Sequence, residues 1–357
     1  MNVAIVYDRV NKWGGAERVL LALHDIFPNA PLFTSVYDKK ASSWAKKFEI
    51  KTSFLQNLPF SKSRHEYFPF LMPIAFESFD FDGYDLVISV TSEAAKGIIT
   101  KPSTKHLCIC LTPTRYLWSG YKEYFSNYFL RFLSIPFIWY LKKWDKIAAF
   151  RPDKFIAISN EVKMRIKKYY NQESSVIYPG IDIKNFAFKN SGKSDYFLVV
   201  SRISKFTSYK RVDLAIRAAT KLNLPLVVVG QGNTKSLKKI AGKSVKFTGK
   251  VSDSELFDYY ANCRALIFPG LEDFGLAMVE AQASGKPVIA YRGGGALEIV
   301  KEGITGEFFD DQNVESLVEV LKNFHEHDYN NHICRENAKR FSKENFEKNI
   351  KDFVSKL

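Results

Sequence analysis

The stretch FPGLEDFGLAMVEA, residues 268–281, joins a buried strand to a helix through a short loop. The sequence predicts that the helix begins near Phe274. Gly275 has no Cβ, so the backbone can approach a ligand closely at that position. The first amides of such a helix lack intrahelical partners and carry the positive end of the helix dipole, which makes them an anion site. Glu272 and Glu280 bracket this site, so the stretch predicts a phosphate-binding strand–loop–helix unit.

Outward from this stretch, short apolar runs alternate with amphipathic stretches, and the alternation occurs twice along the 357 residues. This pattern is typical of α/β folds with parallel sheets and crossover helices, in which ligands bind at the carboxyl ends of the strands. The sequence therefore predicts two doubly wound domains. The expected strands are Val3–Tyr7, Asp85–Val90, His106–Leu111 and Lys154–Ile158 in the first set, and Tyr196–Val200, Leu226–Val229, Val245–Phe247, Ala265–Phe268 and Val288–Tyr291 in the second.

A turn signal in YPGID, residues 178–182, separates the two sets of strands. It predicts an N-terminal domain over residues 1–178 and a C-terminal domain over 179–341, which suits a chain of this length. Lys189–Ser194 is polar and is expected to be a linker. Residues 342–357 are predicted to form an amphipathic helix that packs back onto the N-terminal domain.

Two further motifs follow predicted strands. Arg202 and Lys210 follow the first strand of the second set, where two cations can balance the charge of a leaving diphosphate. Gly14 and Gly15 precede a helix and allow a phosphate or a sugar to approach the backbone. Each motif alone is more often a solvated pair or a simple turn, whereas together, at matching strand ends, they are a specific signal for a site that binds a phosphate-bearing ligand.

The formal net charge of +14 favours an anionic partner or a highly solvated surface. Because no RNA-binding signature or zinc spacing is present, nucleic acid is not an expected partner. The four cysteines form no CxxC pair and indicate reduced thiols in a cytoplasmic protein. There is no signal-peptide pattern and no uncharged stretch of about 18 residues, so no spanning helix is expected.

The segment Tyr121–Trp144 is dense in aromatic residues and contains several lysines, but Arg131 and Pro136 make it a poor bilayer span. Two interpretations remain open at this point. Its aromatic residues pack into the N-terminal core, or the segment lies at the interface of an anionic membrane. The second interpretation predicts peripheral placement on the inner face of the membrane.

These motifs together resemble the GT-B glycosyltransferases of family 4 over nearly the whole chain. The matching stretches are GGAERV (14–19), VSRIS (200–204) with YKRVDLAI (209–216), GKVSDSEL (249–256), and FPGLEDFGLAMVEAQASGKPVIAYRGGGALEIV (268–300). A finer likeness, to the branch that includes the O-antigen mannosyltransferase WbaZ, is carried by TSFLQNLPF (52–60), YDLVIS (84–89), TPTRYLW (112–118) and VIYPGID (176–182).

The resemblance implies a GT-B fold with two Rossmann-like domains facing a central cleft, and a retaining hexosyltransferase without metal or cofactor. It assigns the donor diphosphate to Arg202 and Lys210 and the ribose hydroxyls to Glu280. The other implied donor contacts are Glu272 with the amides of Phe274, Gly275 and Leu276 for the sugar, Gly14 and Gly15 for the phosphates, and the backbone near Val251 for the base.

Two features depart from the family pattern. The related branch has a histidine beside the donor sugar where this chain has Leu111, which cannot form a side-chain hydrogen bond. Ser204–Tyr209 is expected to be a longer loop than in relatives, so the placement of Lys210 depends on the residues that follow it.

The best single prediction is transfer of mannose from GDP-mannose to a glycan or a lipid-linked acceptor. A UDP-hexose donor is the nearest alternative. A nucleotide-sugar 2-epimerase shares the fold but would need more acid–base groups near the sugar. A non-catalytic protein that binds sugar nucleotides or a membrane is the third class, and the presence of Arg202, Lys210, Glu272 and Glu280 argues against it.

Overall fold

The computed structural model describes residues 1–62, 68–124, 128–186, 195–203 and 209–357. The chain forms two compact units. Unit 1 comprises residues 1–180 and 346–357, and unit 2 comprises residues 181–345. The expected linker Lys189–Ser194 and most of the expected long loop Ser204–Tyr209 lie outside the described residues.

The described residues of unit 1 form a parallel sheet of seven strands. The strands are β1 (Val3–Tyr7), β2 (Leu32–Thr34), β3 (Ile50–Thr52), β4 (Leu86–Thr91), β5 (Lys105–Cys110), β6 (Lys154–Ala157) and β7 (Ser174–Val176). Their spatial order is β3-β2-β1-β4-β5-β6-β7. All residues of β1 and β4 are buried, as expected for central strands that are covered on both faces.

The helices described in unit 1 are α1 (Gly15–Ile26), α2 (Met72–Glu77), α3 (Tyr121–Tyr124), α4 (Tyr128–Ala148) and α5 (Asn160–Tyr170). Helix α13 (Lys343–Val354) begins in the last residues of unit 2 and lies mostly in unit 1. Val19, Leu20 and Leu23 of α1 are buried because they recur at helical spacing on one face. Within the described part of the chain, no helix combines the length and apolar composition needed to cross a bilayer.

Unit 2 forms a second parallel sheet, with six strands among its described residues. These are β8 (Phe197–Val200), β9 (Leu226–Val229), β10 (Val245–Gly249), β11 (Leu266–Phe268), β12 (Val288–Tyr291) and β13 (Gly306–Phe309), in the order β10-β9-β8-β11-β12-β13. The helices are α6 (Val212–Lys221), α7 (Lys235–Lys238), α8 (Asp253–Asn262), α9 (Leu276–Ala283), α10 (Ala296–Ile299), α11 (Val314–Asn323) and α12 (Asn331–Lys339).

Each sheet has a switch point where the strand order reverses direction along the chain. In unit 1 the reversal lies between β1 and β4, and in unit 2 it lies between β8 and β11. Loops that leave adjacent strands at such a point diverge and open a crevice at the carboxyl ends, where ligands of doubly wound folds bind. The topology therefore marks the loops after β8 and β11 as the place to look for a site in unit 2.

The predicted fold class is confirmed, because both sheets are parallel and doubly wound. All nine expected strands are present, with ends that agree to within two residues. The sequence analysis missed β2, β3, β7 and β13. The first three contain only three residues each, too few to show a periodic pattern.

The chain enters and leaves unit 2 at neighbouring positions. The amide of Ile181 donates to the carbonyl oxygen of Phe341 at 3.0 Å, and the amide of Lys343 donates to the carbonyl oxygen of Ile181 at 2.9 Å. Arg335 donates to the carbonyl oxygen of Phe186 at 3.0 Å and so fixes the segment that follows the entry. These bonds hold the two crossings of the chain side by side.

Candidate functional site

An ion pair lies at the switch point of unit 2. Lys210, just before α6, donates to Oε1 of Glu272 at 2.6 Å, and Glu272 follows β11. The two side chains are 18% and 19% exposed, so solvent screens their attraction only in part. The structure thus brings together two residues that the sequence analysis assigned to the donor diphosphate and the transferred sugar.

Lys210 stays a cation in this environment. Partial burial lowers the pKa of its ammonium group, but the negative charge and hydrogen bond of Glu272 outweigh that effect and leave the pKa above its ordinary value. The positive charge of Arg202 opposes the rise, which places Arg202 within electrostatic reach of Lys210. The switch point of unit 2 therefore contains a side chain that stays positively charged near neutral pH.

The backbone at Lys210 is fixed by a close approach. A Cβ atom at Gly270 would lie 2.6 Å from Cα of Lys210, so only glycine lets the loop after β11 pass at this point. The next residue, Arg211, has a φ of +47° and precedes the first turn of α6. The sequence analysis quoted Gly270 without assigning it a role. The sequence signal for such a role is a glycine two residues after the end of a buried strand.

Arg202 is anchored through the backbone on both sides. The amides of Ser201 and Ile203 each donate at 2.9 Å to carbonyl oxygens at the end of β9 or just beyond it. Gly230 and Gly232 make these bonds feasible, because Cβ atoms there would lie within 2 Å of the carbonyl oxygens of Ser201 and Ile203, just after β8. Two backbone bonds therefore hold the main chain on either side of Arg202, just beyond the end of β8.

The helix after the loop begins at Leu276, two residues later than Phe274, where the sequence analysis placed it. Gly275 is the N-cap residue and has a φ of +102°, a left-handed conformation that cannot belong to the helix. A Cβ atom at Gly275 would lie 2.5 Å from Cε of Met278 and 2.9 Å from Cζ of Phe268. Phe274 is buried, so it contributes backbone rather than side chain to the loop.

A triple-glycine loop supports the segment between Glu272 and Phe274. The amide of Gly295 donates to the carbonyl oxygen of Glu272 at 3.0 Å. Cβ atoms at Gly294 and Gly295 would lie 2.3 Å and 2.1 Å from the carbonyl oxygens of Glu272 and Phe274. The sequence analysis matched this glycine run to the family but missed its role, which is to position the loop that carries Glu272.

Glu280 lies one turn into α9 and is only 4% exposed. Its Oε2 accepts a hydrogen bond of 2.6 Å from the hydroxyl of Tyr260, which is fully buried. The sequence analysis missed Tyr260 because an aromatic residue in an amphipathic helix ordinarily belongs to the core. Val251 is half-buried and directly precedes Ser252, the N-cap of α8.

Gly14 and Gly15 belong to unit 1, whereas the other eight predicted site residues belong to unit 2. Gly14 is the N-cap of α1 and has an extended backbone. A Cβ atom there would lie 3.2 Å from Oε2 of Glu17, a buried carboxylate that accepts a 2.7 Å bond from the hydroxyl of Tyr7. Burial and the charge of Glu17 raise the pKa of Tyr7 well above its ordinary value, so Tyr7 stays a donor.

The switch point of unit 1 contains a buried carboxylate that the sequence analysis missed. Asp8 follows β1 and accepts hydrogen bonds from the hydroxyl of Thr91 at 2.9 Å and from the amides of Ser92, Ala94 and Ala95 at 2.7 to 2.9 Å. These four donors belong to β4 and the loop after it. Asp8 therefore ties the two central strands together at their carboxyl ends.

A buried charge network adjoins Asp8. Lys96 forms an ion pair with Asp145 of α4, and both side chains are almost fully buried. Arg9 forms an ion pair with Glu93, which also accepts a 2.7 Å bond from the hydroxyl of Tyr116. Lys96 lies in the run EAAKGII, residues 93–99. The residues of this run show no periodic pattern, so the sequence did not indicate that the lysine side chain would be buried.

Thr114 and Leu111 belong to the loop after β5, next to this network. Thr114 donates to Oδ1 of Asp145 at 3.0 Å, and the indole of Trp118 donates to Oδ2 at 2.7 Å. Leu111, the residue that departs from the family pattern, has its amide bonded to the carbonyl oxygen of Thr91 at 2.8 Å. The TPTRYLW motif is thus held to α4 by the buried carboxylate of Asp145, while the Leu111 backbone just before it is bonded to β4.

Among the described residues, no group of three or more His, Cys, Asp or Glu side chains is arranged to hold a metal ion. All four cysteines are free and buried. Burial raises the pKa of Cys108, Cys263 and Cys334 to about 12, so these thiols are protonated near neutral pH.

Residues 181–341 match the family model described as glycosyl transferases group 1. The chain is 31% identical over 206 residues to an uncharacterised glycosyltransferase of Methanocaldococcus jannaschii, covering 56% of this chain and 57% of that protein. It is 33% identical over 114 residues to a GDP-mannose-dependent alpha-mannosyltransferase of Corynebacterium glutamicum, covering 31% and 27%. The alignments thus span about half or less of these relatives.

The fold is similar over the whole chain to HepE of Anabaena, solved in complex with UDP. The TM-score is 0.73 at 19% identity, with 100% of both chains covered. Together with the two parallel sheets, this similarity shows the GT-B fold, and the family match lies within unit 2.

Proposed function

We propose that the protein is a retaining glycosyltransferase that moves a hexose from a nucleotide-diphosphate sugar to an acceptor without a metal ion. The observation that carries the proposal is the cluster at the switch point of unit 2. Lys210 and Glu272 are paired at 2.6 Å beside the N-terminus of α9, within electrostatic reach of Arg202. This arrangement supplies charges of both signs where ligands of this fold bind.

In this proposal Lys210 and Arg202 bind the donor diphosphate and stabilise it as the leaving group. Negative charge develops on the leaving diphosphate in the transition state, so cations aimed at it lower the barrier more than they lower the energy of the bound donor. The amides at Gly275 and Leu276 add the positive end of α9. The diphosphate oxygen then accepts the proton of the incoming acceptor hydroxyl as the new bond forms on the same face.

The two glutamates have separate roles. Glu272 is positioned to bind hydroxyls of the transferred sugar once the diphosphate occupies Lys210. Glu280 is deeper, and the hydrogen bond from Tyr260 fixes the orientation of its carboxylate. A fixed and nearly buried carboxylate suits a pair of ribose hydroxyls, with the backbone near Val251 facing the base.

GDP-mannose is the proposed donor. The support is the similarity of part of this chain to a GDP-mannose-dependent mannosyltransferase, together with the WbaZ-like motifs. A UDP-hexose is the alternative, and the fold similarity to a protein solved with UDP keeps it open. Leu111 stands where the related branch has a histidine, so the contact to the sugar must come from other groups.

The acceptor is proposed to be a glycan or a lipid-linked sugar that binds unit 1. The loops after β1, β4 and β5 would receive it, since they meet at the switch point and are held by Asp8 and the Lys96–Asp145 pair. Gly14 and Gly15 are proposed to close over the donor phosphates. The protein would act in the cytoplasm, at the inner face of the membrane.

A panel of nucleotide sugars and bare nucleotides tests the proposal. We expect one donor to raise the unfolding temperature of the protein and to be hydrolysed slowly when no acceptor is present. Lys210→Ala should strongly reduce hydrolysis, whereas replacement of Lys235, an exposed lysine of α7, by alanine should not.

The outcome also separates the competing classes. Stabilisation by a donor without any turnover would favour a non-catalytic binding protein. Conversion of the sugar into its C2 epimer, with the diphosphate bond intact or re-formed, would favour the epimerase. Stabilisation by none of the nucleotide sugars would contradict the proposal.

A further inference from the structure

The outer side of α4 exposes large apolar residues. Phe132 and Trp139 are 64% and 66% exposed, and Leu133, Ile135 and Phe137 are at least half exposed. Contiguous apolar surface of this kind is uncommon on a face that meets only water, and it marks a binding surface. The protein therefore has an apolar surface that its own fold leaves uncovered.

The inner side of α4 already accounts for the contacts of the helix with its own unit. Ile138 and Leu141 pack with Leu117 in a small core cluster. Asp145 is buried in its pair with Lys96, and the indole of Trp144 donates to Glu77 at 2.7 Å. The interpretation of Tyr121–Trp144 as a core segment thus holds for this inner side, but it does not explain the outer one.

The exposed apolar surface extends beyond α4. The ring of Phe70, which precedes α2, lies 6.4 Å from the ring of Phe137. Phe150, just after α4, is 67% exposed. We define the aromatic face as six exposed rings, those of Phe70, Phe132, Phe137, Trp139, Tyr140 and Phe150.

Positive charge accompanies the aromatic face. Residues 128–151 contain five basic residues and a single acidic residue, Asp145, whose charge is buried and paired. Lys143 and Lys146 are exposed at helical spacing from Trp139, and Nζ of Lys143 lies 5.5 Å from the Trp139 ring. Because its exposed lysines carry charges of the same sign, such a surface would repel a second copy of itself.

We propose that the aromatic face is a membrane-docking surface that binds the interface of a bilayer containing anionic lipid. Tryptophan and tyrosine are favoured at the headgroup level because one end of each ring stays hydrated. Lysines next to them are attracted by the negative surface potential of anionic lipid. This proposal rests on the proposed function in one respect: docking would bring the enzyme to a lipid-linked acceptor.

The test is flotation of the full chain with phosphatidylcholine vesicles, with and without phosphatidylglycerol, at low and at high salt. We expect flotation only with phosphatidylglycerol and a loss of binding at high salt. Trp139 fluorescence should shift to shorter wavelength on binding, and the shift should disappear in Trp139→Phe.

Two pairs of variants sharpen the test. The double variant Lys143→Glu and Lys146→Glu should bind at least about tenfold more weakly. Lys348→Glu with Lys351→Glu on α13 is the matched control. It makes the same charge change at the same spacing, at exposed positions of another helix. This control variant should bind the vesicles nearly as well as the parent does. Phe132→Ser with Trp139→Ser should reduce binding at low salt, whereas Leu297→Ser with Ile333→Ser, at exposed sites of unit 2, should not.

Equal flotation of the α4 and α13 charge variants would overturn the proposal, as would absence of binding to phosphatidylglycerol vesicles at low salt. A dimer in gel filtration that dissociates in Phe132→Ser with Trp139→Ser would assign the aromatic face to a second copy and overturn it too. Donor hydrolysis is measured on the same samples without vesicles. Absence of donor hydrolysis would count against the proposed function. Donor hydrolysis without vesicle binding would count only against the docking surface.

Discussion

At the scale of single residues, the Lys210–Glu272 pair implies competition within the donor site. In the 2.6 Å ion pair, Glu272 balances the positive charge of the lysine that is proposed to bind diphosphate. A donor must therefore displace Glu272 from Lys210, and the sugar hydroxyls then supply the carboxylate with new partners. The protein would bind a complete donor better than a bare diphosphate, because only the complete donor satisfies both side chains.

Removal of either cation should slow transfer. Lys210→Ala and Arg202→Ala should each cost about 2–4 kcal/mol of transition-state stabilisation, as in other sites where a donor to developing charge is removed. The measurement is kcat/KM with the donor identified by the panel. Lys235→Ala is the control, and near-parental turnover in either cation variant would contradict the assignment.

Replacement of the two glutamates should have different effects on binding of the bare nucleotide. Glu272→Gln removes the negative partner of Lys210, so bare nucleoside diphosphate should bind as well as before or more tightly, while use of the sugar donor falls. Glu280→Gln should weaken both ligands because it disturbs the proposed ribose contact and the bond from Tyr260. Calorimetric titration of both ligands decides the matter, and equal losses of nucleotide affinity would show that the roles are not separate.

At the scale of elements, the N-terminus of α9 depends on the conformation of Gly275. Gly275→Ala should place strain and a close contact at the helix start and impair donor binding. Gly303→Ala is a matched control, since Gly303 has a φ of +70° but open space around its Cβ position. The control should cost about 1–2 kcal/mol of stability from backbone strain alone and leave donor binding unchanged. Equal donor affinity in both variants would rule out a close-fitting role for Gly275.

Strand β5 contains a histidine that should make unit 1 sensitive to acid. Burial lowers the pKa of His106 to about 3, against an ordinary value of 6.5. Between these values the unfolded chain binds a proton that the folded chain excludes, so stability is full above pH 6.5 and falls as the pH falls.

We expect His106 alone to account for about 2 kcal/mol of lost unfolding free energy between pH 7 and pH 5. Urea unfolding of the parent and of His106→Gln at both pH values measures this, since the variant should lose less on acidification. His327→Gln, at an exposed histidine, is the control and should behave as the parent. A parallel loss in parent and His106→Gln would refute the assignment.

The sequence predicted the long central strands and the strand–loop–helix unit around Glu272, because buried β-branched runs and glycine at strand ends are local signals. It did not predict β2, β3 and β7, whose three residues each depend on pairing with neighbouring strands. It also missed Asp8, Lys96 and Asp145. Their burial arises from partners far along the chain, and no local pattern shows that a charged residue will find such a partner.

At the scale of the whole molecule, transfer should survive removal of divalent ions. In the proposed mechanism, Arg202 and Lys210 together supply the positive charge that a metal ion would otherwise bring to a diphosphate. We expect EDTA to leave the initial rate of transfer unchanged in protein that has been dialysed against the chelator. A rate that falls with EDTA and returns with Mg²⁺ or Mn²⁺ would show that the two cations are insufficient.

The pairing of Ile181 with Phe341 and Lys343 has a consequence for how the molecule can be divided. Since the chain enters and leaves unit 2 at one place, unit 2 is topologically an insertion within unit 1, and it can be excised without cutting through either sheet. A fragment of residues 181–345 has adjacent ends, keeps all six strands of its sheet, and retains Lys210, Glu272 and Glu280. Nucleotide affinity measured on this fragment would separate recognition of the donor from everything that the host unit contributes.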